Sequence, residues 1–123
     1  MKKYRLELNE EQVKNLMWAL NLYSRLKCGQ FGVLKDLNKN RPDDNTLAKL
    51  QKEMFPKLDG LHMSFGIASP ETPEEAKVCY DIYKQIHFIW NPVGVYSYEP
   101  HAISKQGLPK FWEVATTKEE GLM

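Results

Sequence analysis

The chain has 123 residues, of which 42% are hydrophobic, 27% charged and 11% aromatic, a balance that excludes disordered and collagen-like chains and suits one domain spanning 1–123. A net charge of +1 hides an uneven distribution, with twelve Lys and Arg against eight Asp and Glu in residues 1–60 and five against eight in 61–123. The pI of about 7.7 is too low for a duplex-binding protein, which normally exceeds about 9.

Tyr4, Leu6 and Leu8 alternate with Lys3, Arg5 and Glu7, the period-two pattern of a strand with one wet face. Asn9 and Gln12 then form a capping box that opens a long helix over about 10–28. Val13, Leu16, Met17, Leu20 and Tyr23 make one apolar stripe, and Trp18, Leu22 and Leu26 a second, with Gly29 as the C-terminal cap. A helix apolar on two sides is central or lies between subunits, so a homodimer or higher homo-oligomer is expected. Phe31, Leu34 and Leu37 predict a short second helix over 30–37. Asp43 or Asp44 caps a third helix bearing Leu47, Leu50 and Met54, which stops before Phe55-Pro56 because the residue before proline avoids the helical region.

Residues 56–71 read as an irregular segment with Phe65 between Gly60 and Gly66, and a loop of that length is more often functional than idle. Thr72-Pro73-Glu74-Glu75 starts a helix running to about Trp90, with a threonine cap and proline at the first helical position. Ala76, Cys79, Tyr80, Tyr83, Ile86 and Trp90 line one face, and Asn91-Pro92 ends it. Strands follow at Val93 to Tyr98 and Phe111 to Ala115, joined by a loop holding His101, Lys105, Gly107 and Lys110. The expected fold is α+β: a small antiparallel sheet, built from the N-terminal strand and the C-terminal pair, packed on two long helices with additional short helices.

No apolar run nears the roughly 20 residues of a membrane helix. The opening Met1-Lys2-Lys3-Tyr4-Arg5 leads into alternation rather than a signal-peptide core, so a cytoplasmic protein without membrane contact is expected. Cys28 and Cys79 read as reduced core thiols. His62, His87 and His101 fall in different elements without a ligand-spaced partner, so neither a metal nor a cofactor is expected. Nucleophile and phosphate-loop signatures are missing too, which points away from an enzyme.

What remains suits binding without turnover. Between residues 14 and 41, Lys14, Arg25, Lys27, Lys35, Lys39 and Arg41 face only Asp36, which fits an anionic ligand or an acidic partner as well as a solvated helix face. Ten aromatics, Tyr23, Phe65, Tyr80, Tyr83, Phe88, Trp90, Tyr96, Tyr98, Phe111 and Trp112, compete between core packing and stacking on a base. Phe65 or Trp90 is expected to stack, Asn91 to read a polar edge, and Arg25, Lys105 and Lys110 to meet phosphates.

At Tyr23-Ser24-Arg25, followed by Gly29-Gln30-Phe31, the chain resembles the small phage proteins of the first Thoeris anti-defence family. The resemblance extends to Leu8-x-x-x-Gln12, Phe55-Pro56-Lys57-Leu58, Ser64-Phe65-Gly66-Ile67 and the proline-started helix that ends near Asn91-Pro92. It covers most of residues 1–92. It implies a sponge that sequesters cyclic ADP-ribose isomers made by a bacterial TIR-domain enzyme, in helical dimers assembled further, with some members also holding cyclic oligonucleotides. The C-terminal loop departs from this pattern in offering Lys105 and Lys110 but no arginine. A protein–protein inhibitor that docks the basic stretch on a host defence enzyme is the alternative, and a phosphodiesterase is a second rival.

Overall fold

A computed structural model describes residues 3–90 and 100–109. Three α-helices organise it: α1, Glu10–Lys27; α2, Asp44–Met54; and α3, Glu74–Trp90, with a 3-10 helix at Phe31–Asp36 between the first two. The described residues are 53% helix and 1% strand and hold no sheet, which corrects the expected α+β fold. Residues 3–7 have no regular structure, and only a single bridge residue, Leu8, interrupts the approach to α1. Tyr4 is 84% exposed and Leu6 63%, so the apolar side of the alternating pattern meets solvent at these two positions, while Leu8 is half-buried. The strands expected at 93–98 and 111–115 lie outside the described residues.

Local signals set the helix starts. The Asn9 side chain accepts from the Gln12 amide while Gln12 Oε1 accepts from the Asn9 amide, both at 2.9 Å. Asp43 caps α2 by accepting from the Thr46 amide at 2.7 Å, which holds its carboxyl below the ordinary range. At α3 the expectation of a threonine cap fails. Thr72 is buried and its hydroxyl donates to the Gly66 carbonyl at 2.8 Å, while the Pro73 carbonyl accepts from the Ala76 amide at 3.1 Å. The hydroxyl closes the preceding loop instead of the helix end.

Helices α1 and α3 pack antiparallel. Lys27 at the end of α1 meets Glu75 at the start of α3, 3.4 Å apart, and Lys14 near the start of α1 lies over the Trp90 ring at the end of α3, 5.9 Å from its centroid. Val13 and Ser24 are the buried positions of α1, and Ala76, fully buried, and Ile86 are apolar buried positions of α3. Of the second apolar stripe of α1, Trp18 is 70% exposed while Leu22 and Leu26 are half-buried. No helix among the described residues is long and apolar enough to cross a membrane.

A second, smaller cluster joins the end of α1 to α2 and the 56–71 loop. Phe31 packs edge-on to Phe55, and Phe55 to Phe65, at centroid distances of 5.7 and 6.2 Å. Gln51, 1% exposed, donates from Nε2 to the carbonyls of Gly29 and Met63 at 2.8 and 3.0 Å, which pins α2 to both loops. Gly29 has φ +84°, and a Cβ there would collide with Leu58 Cδ1 and lie 3.5 Å from Phe55. Gly29→Ala is expected to destabilise by roughly 2–4 kcal/mol, the left-handed conformation and the overpacking adding together. Gly32, with open space around it, is the control: Gly32→Ala is expected to shift the urea midpoint by no more than about 0.5 kcal/mol in equivalent stability.

Candidate functional site

The C-terminal turn of α1 and the middle of α3 bring cations and aromatic rings onto one face. Tyr80, Tyr83, Lys84 and His87 stand at i, i+3, i+4 and i+7 on α3, so they share one side of that helix. Their rings form a ladder, with Tyr80 to Tyr83 at 6.5 Å and Tyr83 to His87 at 6.1 Å between centroids, tilted by 57° and 38°. Lys84 Nζ lies 5.8 Å from the Tyr80 centroid and 6.0 Å from that of Tyr83, within cation–π range of both.

Arg25, in the last turn of α1, approaches the Tyr80 end of this face. Its Nε donates to Asn21 Oδ1 and one terminal nitrogen to Gln30 Oε1, each at 3.0 Å, and Gln30 Nε2 donates in turn to Ser64 Oγ at 3.3 Å. Both acceptors of Arg25 are neutral amides, and among the described residues Arg25 enters no ion pair. Among the described residues the guanidinium is therefore oriented by neutral groups alone, and three of its five N–H groups are left without an acceptor there. Its charge is felt at Tyr80. Burial pushes that phenol above its usual 10.0, Tyr83 and Asp81 push it further, and Arg25 pulls it back.

The expected site residues separate into groups. Arg25 and Phe65 come to the same end of the helix pair, since the Phe65 amide donates to the Cys28 carbonyl at 2.9 Å and its neighbour Ser64 ends the chain from Arg25. Phe65 itself is half-buried against Phe55, so part of its ring serves packing. Lys105 is exposed, and its backbone amide donates to Glu74 Oε2 at 2.6 Å near the start of α3. Trp90 lies at the opposite end of the pair, beside Lys14. Lys14 and Arg25 are eleven residues apart on α1, about 16 Å at 1.5 Å per residue, so one small ligand does not span Trp90 and Arg25 within a chain. Asn91 and Lys110 lie outside the described residues.

Sequence reasoning placed Tyr80 and Tyr83 among the candidate stackers but passed over Lys84 and His87. The signal was present in their spacing, which repeats every three or four residues like the core stripe beside it. Cys28 and Cys79 are free cysteines, and burial pushes the half-buried Cys79 thiol up, with Glu75 adding to the shift. Such a thiol is a weak nucleophile at neutral pH. Among the described residues no three His, Cys, Asp or Glu side chains gather where a metal ion would be held. No protein-family model, curated protein or solved structure matches this chain.

Replacing Arg25 by methionine removes the cation that opposes the upward shift of Tyr80. The Tyr80 phenol is then expected to titrate at still higher pH, read by ultraviolet difference titration against a Tyr80→Phe control. An unchanged titration would place the guanidinium away from the ring.

Proposed function

We propose that this chain is a binding protein that sequesters a cyclic nucleotide second messenger, of the cyclic ADP-ribose isomer class, without cleaving it. The observation that carries the reading is the Arg25 guanidinium, held by neutral amides among the described residues and close enough to act on the Tyr80 phenol, together with the Tyr80, Tyr83 and His87 ladder and Lys84 over its rings. Rings of this kind stack on a base for about 1–3 kcal/mol each, and the two cations supply phosphate contacts, Arg25 as a fork and Lys84 as a mobile point charge. The motif resemblance to the first Thoeris anti-defence family supports the choice of ligand class and the action in a bacterial cytoplasm. In this reading the exposed Trp18 side of α1 is the contact between subunits of a homo-oligomer.

That same exposed tryptophan, 70% accessible within the basic stretch 14–41, favours a second reading, a protein–protein inhibitor of a host defence enzyme. One experiment separates the two and also tests for hydrolysis. The protein is incubated with cyclic ADP-ribose isomers, free ligand is measured, the protein is denatured and ligand is measured again. Sequestration depletes the ligand and returns it intact, a phosphodiesterase returns product, and an inhibitor of a host protein leaves the ligand untouched.

Arg25→Ala and Lys84→Ala are each expected to weaken binding by about tenfold to more than a hundredfold, or roughly 1.5–3 kcal/mol. Trp90→Ala, at the far end of the pair, is the comparison and is expected to stay within about threefold of the parent in isothermal titration. The reverse ranking would move the site to the Lys14 and Trp90 end.

A further inference from the structure

Segment 100–109 crosses α3 on a side that the helix pair does not use. Glu74, Asp81 and Gln85 stand at i, i+7 and i+11, within about 20° of one line along the helix and roughly opposite Ala76 and Tyr83. Asp81 is 1% exposed and its carboxylate accepts from the Ile103 amide at 2.9 Å, the Ser104 amide at 2.9 Å and the Ser104 hydroxyl at 2.6 Å. Glu74 accepts from the Lys105 amide at 2.6 Å, and Gln85 donates to the Pro109 carbonyl at 3.1 Å. Gly107, at φ +78°, lies in the return of the chain from the Glu74 level to the Gln85 level.

We propose that Asp81 is a latch: residues 100–109 form a strap that lifts from α3 as a unit when this one carboxylate is removed, leaving the α1 and α3 pair folded. Three of the five hydrogen bonds between strap and helix end on Asp81, and all five lie along one stripe. Without the carboxylate, three donors lose their acceptor, and the strap recovers them by exposing its backbone to water. The helix pair loses nothing in that step, because its apolar contact lies on the other side of α3. Lys105 rides on the strap, so the latch also fixes where its ammonium is presented.

The test is hydrogen exchange on the full chain carrying Asp81→Asn, which keeps the shape but turns an N–H group toward donors. The Ile103 and Ser104 amides are expected to exchange roughly tenfold faster or more, with faster tryptic cleavage after Lys105 and unchanged helical circular dichroism. Ser104→Ala, which removes one donor only, is expected to accelerate exchange by about threefold and serves if Asp81→Asn does not fold. Glu74→Gln, altering an outer contact, is expected to change less than either. Unchanged exchange at Ile103 and Ser104 in both Asp81→Asn and Ser104→Ala would overturn the latch. So would loss of strap protection and helicity in a single transition, which would make Asp81 part of the global fold.

Discussion

The close antiparallel contact of α1 with α3 is the constraint on which the other features rest. Ala76, near the start of α3, has no exposed surface, and its single methyl group leaves room for a neighbouring element to approach closely. The direction of packing decides which chemistry meets. It sets Arg25 against the Tyr80 side of α3, carries Lys14 to Trp90, and turns the Glu74, Asp81 and Gln85 stripe away from α1. Surface ion pairs such as Lys27 with Glu75 mark the ends of the contact but contribute little to it.

Around that pair, buried polar side chains fasten the irregular segments. Backbone carbonyls in loops have no helical partner, and leaving them buried without a donor costs about 1–3 kcal/mol each. Gln51 supplies donors to Gly29 and Met63, Thr72 to Gly66, and Asp81 acceptors to Ile103 and Ser104. Gln51 Oε1 has no partner among the described residues, so the side chain is committed to its two carbonyls at the expense of its own acceptor. Among the described residues, the loops are thus closed by buried side chains rather than by a sheet.

The proposed binding role and the fold share one economy of charge. Among the described residues Lys27, Lys35 and Lys57 each meet a carboxylate, Glu75, Asp44 and Glu71 respectively, whereas Arg25 is held by Asn21 and Gln30, and Lys84 by rings. Cations held by neutral or aromatic groups retain their field for an incoming anion. That distinction does not follow from the net charge of the basic stretch, because it depends on which side chain each cation happens to face.

Short-range chemistry made much of the helical framework legible from residues alone. The Asn9 and Gln12 box, the Asp43 cap, the stop before Phe55-Pro56 and the positive φ of Gly29 all follow from groups within a few positions of one another. Where the sequence pattern misled, the missing ingredient was a distant partner. Alternation at Tyr4 to Leu8 states that one face is apolar but not that anything covers it, and Thr72 has a hydroxyl suited to a cap until Gly66 comes within reach. Arg25 could be named as a candidate because an arginine in the basic stretch 14–41 is visible in the chain. Its separation from Trp90, its orientation by Gln30 and its place beside Tyr80 were decided only by tertiary structure, since antiparallel packing, and not spacing along the chain, determines which end of α3 each residue of α1 meets.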